Sequence, residues 1–303
     1  MFVFLLITER GFAQPLNETQ KIVVPSCICK SCAESIIDIE CTNKVSLREI
    51  HSILNRPVLS GEMFEFHLRI SSRAVVNIPA NVVNGRRFSR IFVHCAMNDS
   101  SVSKLKIDPN AFRTSSHRTD TFRIFNCDLS HQNDFAFLSD FEQLTSLSIQ
   151  SSQNLESFAK LPLLPNLRTL TIFNCTGLEK LEKFPVRSLP VGLKELDLAL
   201  NLLNDESIER ILSSIPSSPS AKTLEILRLS GNRLTRIPDS KTLSSLTSLS
   251  QLFLDGNIVP KVTKESLHFS SQMPNLEVLN LMDMSLAYIE PYSLDHGKQM
   301  TIL

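Results

Sequence analysis

Leu193-Lys194-Glu195-Leu196-Asp197-Leu198-Ala199-Leu200-Asn201 places leucine at positions one, four and six of a nine-residue frame and asparagine at position nine. The frame returns at Leu224-Leu227-Leu229-Asn232 and at Leu249-Leu252-Leu254-Asn257. Three copies that agree at all four positions are not a chance alignment. The chain holds nine copies in all, with first positions at Met63, Phe88, Thr119, Leu144, Leu167, Leu193, Leu224, Leu249 and Leu276. Successive spacings are 25, 31, 25, 23, 26, 31, 25 and 27 residues. The first three copies are degenerate and rest on spacing. Thr119 is a poor first position, and Ala96 stands where the second copy needs a polar residue.

A frame of this kind, recurring at about 20–29 residues, is the leucine-rich-repeat pattern. One coil cannot bury its own apolar edge, so neighbouring coils must stack. Positions one, four and six then point inward, and the alternate residues of the short strand point outward. The expected fold is an α/β-type leucine-rich-repeat solenoid, a horseshoe with a parallel concave sheet and a mostly irregular convex side.

Position nine is expected to form a buried column where each coil turns. An amide there satisfies backbone groups that would otherwise cost about 1–3 kcal/mol each. The column reads Cys127, Cys175, Asn201, Asn232 and Asn257, with Ser71 and Ser152 as weaker substitutes and Met284 unable to serve. The second half of each repeat has its own echo. Ile107-Asp108-Pro109, Ile237-Pro238 and Ile289-Glu290-Pro291 suit an extended, non-helical return. Repeat six differs: Asp205 to Leu212 has helical spacing behind an Asn204 cap, and Ser213 to Ser220 reads as a loop. That insertion accounts for its 31-residue spacing.

The chain carries 31 basic and 31 acidic residues, so no basic stripe argues for nucleic acid. Eight glycines and no tryptophan fit a repeat fold better than an enzyme built on Gly-rich ligand loops. No stretch of about 18 apolar residues predicts a spanning helix. Residues 1–20 are read as a signal peptide and leader, from the apolar run Phe2 to Ile7 and the small residues before Gln14. An ordinary apolar start is the alternative. Residues 21–62 form a Cys-rich cap, and residues 63–303 form the repeats. Met300-Thr301-Ile302-Leu303 matches the first four positions of a tenth copy, so the sequence reads as a fragment or as one whose end is covered.

Cys27, Cys29, Cys32 and Cys41 cluster before the first repeat, where the stack needs a cap. Disulfides in an oxidising compartment are expected. Zinc is the alternative, but the spacing lacks paired C-x2-C knuckles, and no metal or cofactor is expected. Four cysteines allow three pairings. Cys127 and Cys175 are expected to be reduced core residues two coils apart, and Cys95 falls at position eight. Three sequons occur, at Asn17, Asn98 and Asn174. Asn98 and Asn17 are the expected acceptors. Asn174 abuts the buried slot and is the least suited.

The outward columns are where function could lie. Position five reads His67, Phe92, Arg123, Ser148, Thr171, Asp197, Arg228, Phe253, Asn280. Position seven reads Arg69, His94, Phe125, Gln150, Phe173, Ala199, Ser230, Asp255, Met282, and position three adds Glu65, Arg90, Thr121 and Glu195. The first five coils thus gather Arg69, Arg90, Phe92, His94, Arg123, Phe125 and Phe173 beside His67. Aromatics with arginine are enriched at binding hot spots. A one-residue slip in the weak repeats would send these side chains into the core instead. No catalytic constellation, phosphate loop or nucleophile motif is present. Two imidazoles without a third ligand make a weak metal site.

The repeats resemble those of extracellular leucine-rich-repeat proteins over residues 63 to 303. That resemblance implies pairing Cys27 with Cys32 and Cys29 with Cys41. The cap running into Ile37-Asp38-Ile39-Glu40-Cys41-Thr42 and Leu47-Arg48-Glu49-Ile50 is similar to the arthropod group named after the Oplophorus-luciferin 2-monooxygenase non-catalytic subunit. It implies a secreted protein that accompanies or stabilises a partner, a catalytic chain included, and does no catalysis itself. The alternative is the ectodomain of a cell-surface adhesion or pattern-recognition receptor.

Overall fold

The computed structural model describes residues 25–33, 35–56, 59, 64–98, 101–181, 184–185, 190–215, 219–294 and 301–302. The leader, Asn17, Met63, and Asp99 and Ser100 of the Asn98 sequon lie outside the described residues. Ten coils contribute strands to one sheet: Glu65–Ser71, Arg90–Cys95, Thr121–Phe125, Ser146–Gln150, Thr169–Phe173, Glu195–Asp197, Ile226–Arg228, Gln251–Phe253, Val278–Asn280 and Thr301–Ile302. All pair in parallel, each with the next. A cap hairpin of Cys27–Cys32 and Ile36–Thr42 completes 12 strands. Its second strand runs parallel to coil one, burying Ile37 and Ile39 as a coil would. Helix Leu47–Leu54 closes the end of the stack with Ile50, Ile53 and Leu54.

The coil turns are set at position eight. Asn126, Ser151, Asn174, Leu200, Gly231, Gly256 and Asp283 hold that position in coils three to nine, and each has a positive φ of 49° to 67°. Glycine and asparagine tolerate this backbone, whereas β-branched residues do not. The reversal throws position nine inward. There Asn232 Oδ1 accepts from the backbone N–H of Asn201 and of Leu203, both at 3.0 Å. Its Nδ2 donates to the Leu198 and Leu229 carbonyls at 2.9 and 3.0 Å. Asn201 and Asn257 repeat the arrangement, with Nδ2 bonds to Ile172 and Leu229.

Coils one and two obey a different rule. Their position eight is Ile70, a β-branched residue unsuited to a left-handed turn, and Cys95; both strands run longer and bury these residues. The polar slot therefore moves. Ser72, rather than Ser71, bonds the Asn43 carbonyl at 3.3 Å. In coil two the slot falls to Ser103, beyond a two-residue hairpin of Met97–Asn98 and Ser101–Val102. Ser103 Oγ donates to Ser72 O at 2.9 Å and accepts from Ser72 N–H at 3.1 Å. That hairpin explains the long second spacing. Thr119 proves well fitted to position one, since its buried hydroxyl donates to Phe88 O at 2.8 Å. In coil ten, Ile302 pairs with Leu279 at position four, so the frame starts one residue before Met300.

The cysteines correct two expectations. The cap pairs are Cys27–Cys41 and Cys29–Cys32. Hairpin register decides this, because it sets Cys27 directly opposite Cys41. No cap thiolate remains for zinc. Cys127 is not reduced but is joined to Cys95. The lengthened second strand turns Cys95 inward, with its Cα 5.1 Å from that of Cys127, within disulfide reach. Cys175 is the free thiol among the described residues, pushed up to about 12 by burial and therefore unreactive.

The convex side is short 3-10 turns, such as Leu155–Lys160, and small helices. Helix Asp205–Ser214 is capped as expected, Asn204 Oδ1 accepting from Ser207 N–H at 2.9 Å. Behind the sheet, phenylalanines fill the wide part of the core. Phe122 meets Phe112 and Phe141 edge-on at 5.4 and 5.6 Å, and Phe135 meets Phe158 at 5.7 Å. Each such pair adds roughly 0.5–1.5 kcal/mol beyond burial.

Asn232 satisfies four buried backbone groups, so Asn232→Ala should destabilise the chain by about 3 kcal/mol. Urea unfolding measures this, and a loss below about 1 kcal/mol would show that water replaces the amide.

Candidate functional site

Strand pairing settles the columns. His67, Phe92, Arg123, Ser148, Thr171, Asp197, Arg228, Phe253 and Asn280 lie opposite one another in unbroken succession. Arg69, His94, Phe125, Gln150 and Phe173 form the neighbouring column. The alternate residues Phe66, Leu68, Ile91, Val93, Phe122 and Ile124 are buried behind the sheet. The weak repeats have therefore not slipped, and their rings do face the concave side.

Neighbouring strands lie about 4.8 Å apart, which suits the face-to-face packing of flat rings. His67 stacks on Phe92 at 4.4 Å with planes 14° apart. His94 stacks on Phe125 at 4.9 Å and 4°. The two imidazoles are parallel at 5.6 Å, which joins both columns into one surface. Arg123 lies over the other side of Phe92, its guanidinium carbon 5.6 Å from the ring centre. The Phe92 ring is thus enclosed, only 9% exposed. Phe92 lies within the patch as a platform between His67 and Arg123.

Charge is arranged around the rings. Arg69 Nε donates to both oxygens of Asp38, at 2.8 and 2.9 Å. Arg90 donates to Glu65 at 3.0 Å, and Glu65 also meets His67 Nε2 at 3.1 Å. The His67 contact, opposed by burial, holds the Glu65 carboxyl below its ordinary range. Arg123 has no carboxylate partner among the described residues, and its Nε is buried without a hydrogen bond. His67 Nδ1 and His94 Nε2 are likewise unpartnered. Among the described residues, no three His, Cys, Asp or Glu side chains gather as a metal site.

The structure brings Arg69, Arg90, Phe92, His94, Arg123 and Phe125 together. Phe173 is half-buried on the same face, set apart from Phe125 by Gln150. A second cluster escapes a residue-type reading. Arg228 lies 4.7 Å over Phe253 and 3.4 Å from Glu195, and burial raises the neighbouring Asp197 carboxyl. Its signal is the same column arithmetic, with Arg228 beside Phe253 at position five.

The His94 imidazole is pushed down to about 4, first by burial and then by the charges of Arg69 and His67. An unfolded histidine titrates near 6.5, so the unfolded chain binds the proton first as pH falls. His94 therefore contributes stability that is full above about pH 6.5 and lost down to about pH 4. After discounting for its partial exposure, the expected loss between pH 7 and 4.5 is about 2 kcal/mol. His94→Phe keeps the stack and should remove this component in denaturant titrations at the two pH values. An unchanged loss in the variant would place the sensitivity elsewhere.

No family model matches the chain, and no curated protein does. The narrower resemblance to the luciferin-monooxygenase subunit group therefore gains no support. Solved structures do match. The chain is similar to one in the TLR13–ssRNA13 complex, 18% identical with a TM-score of 0.58, over 85% of this chain and 33% of that one. It is also similar to a chain of the Toll–Spatzle complex of Drosophila, 16% identical with a TM-score of 0.56, over 89% of this chain and 36% of that one. It spans about a third of the length of either. Identity this low speaks for the fold, and with the parallel sheet and stapled hairpin the chain is a leucine-rich-repeat solenoid with a cysteine-bonded N-terminal cap.

Proposed function

We propose that this chain is a recognition module that works outside the cell and binds a protein partner through the concave face of coils one to five. It does so without catalysis. The observation that carries the reading is the stacked His67–Phe92 and His94–Phe125 surface beside Arg123. Buried polar atoms without a partner are infrequent in folded chains, and three of them gather beneath this ring-lined surface. Arg123, with no carboxylate of its own, suits an acidic side chain of the partner. Arg69, Arg90 and Phe125 widen the contact, and Phe173 marks its far edge.

Three disulfides support an oxidising compartment. Among the described residues, no helix is long and apolar enough to cross a membrane. A receptor ectodomain fits the likeness to the Toll–Spatzle complex better than a secreted accessory subunit of a catalytic chain does. Both readings use the same face.

The test compares three tagged chains in capture from the extracellular fluid of the source tissue. One is unaltered, one carries Arg123→Ala with Phe125→Ala, and one carries Arg228→Ala with Phe253→Ala. The first double variant should lose the retained partner by at least tenfold while unfolding cooperatively, and the second should keep it. Equal retention by all three would move the site off the concave face.

A further inference from the structure

Asn174-Cys175-Thr176 follows the strand of coil five. In sequence it is the least suited of the three sequons, because Cys175 fills a buried slot. The structure separates the three side chains. Cys175 points inward, 1% exposed, and its backbone N–H donates to Asn201 Oδ1 at 2.9 Å. Asn174 and Thr176 on either side of it are both exposed. The cause is the left-handed turn at position eight, where Asn174 has a φ of 53°. The reversal that buries residue nine leaves residues eight and ten outside. Asn174 Nδ2 makes a hydrogen bond to Ser151 Oγ at 3.3 Å, which uses one of its two amide hydrogens.

We infer that Asn174 is an N-glycan attachment site on the flank of the solenoid, one residue from Phe173. The donor is a lipid-pyrophosphate-linked oligosaccharide. Its sugar C1–O bond breaks, a C1–Nδ2 bond forms, the amide gives one proton to a base, and the lipid pyrophosphate leaves. The remaining N–H keeps the bond to Ser151, so the native turn needs no change. Asn126 and Asn154 share the left-handed backbone, but Asp128 and Glu156 follow two residues on, so neither is an acceptor. A glycan is bulky and solvated. At Asn174 it closes the flank beside the strand end of coil five. A partner then reaches Phe125 and Arg123 over the concave face itself or from the opposite edge. The inference rests on the extracellular reading, because the transfer occurs in the secretory pathway.

The full chain, secreted from eukaryotic cells behind a heterologous leader, tests it. Enzymatic deglycosylation in heavy-oxygen water labels each occupied asparagine, and peptide mass spectrometry reads the label. The Asn174 peptide should be labelled and the Asn126 peptide should not. Asn174→Gln and Thr176→Ala should each remove one glycan, and Thr176→Ser should retain it. Thr176→Ala serves if Asn174→Gln fails to fold. A folded, secreted chain with a bare Asn174 peptide overturns the inference. The same peptide from the native protein separates two failures. A chain glycosylated elsewhere but bare at Asn174 overturns this site alone. A chain bare at every sequon overturns this site, and a native chain whose paired cysteines are all reduced overturns the extracellular reading and this site with it.

Discussion

Each coil must leave its strand and start its return without stranding the backbone groups it exposes to the core. One left-handed residue at position eight and one buried polar side chain at position nine meet that demand together. The turn aims the side chain, and the side chain satisfies the turn and the coil beside it. Asn232 shows the full form, with two acceptor contacts and one donor contact to coil six and a second donor contact within its own coil. Because three of these four contacts join neighbouring coils, they also lock the register. The parallel, in-register sheet follows, and so do the columns on its concave face.

The function of that face depends on the same register. Equivalent positions lie one strand apart, near the contact distance of planar rings. His67 over Phe92 and His94 over Phe125 therefore stack without any device beyond the repeat itself. A slip of one residue would put Ile91 and Val93 on the surface and bury Phe92 and His94. The same packing leaves imidazole and guanidinium nitrogens buried without hydrogen-bond partners.

Much of this is legible in the sequence because leucine spacing is a strong periodic signal. The columns at positions five and seven read correctly even through Thr119 and Ala96, since spacing carries over where identity fails. What is hidden depends on conformation rather than pattern. The β-branched Ile70 at position eight disfavours the left-handed turn, the strands of coils one and two run on to bury Ile70 and Cys95, and the polar slot shifts to Ser72 and Ser103. Only then does Cys95 face Cys127. Cap pairing depends on hairpin register, which the C-x-C-x2-C spacing leaves open. Enclosure of Phe92 depends on the path of Arg123, and no pattern of residue types reveals it.

The most direct test of the register through the weak coils is a non-reducing peptide map of the folded chain. Cys95 is expected linked to Cys127, Cys27 to Cys41 and Cys29 to Cys32, with Cys175 alkylated only after unfolding. A free Cys127, or Cys95 joined to Cys175, would contradict the register of coils two and three and dissolve the stacked surface built on it.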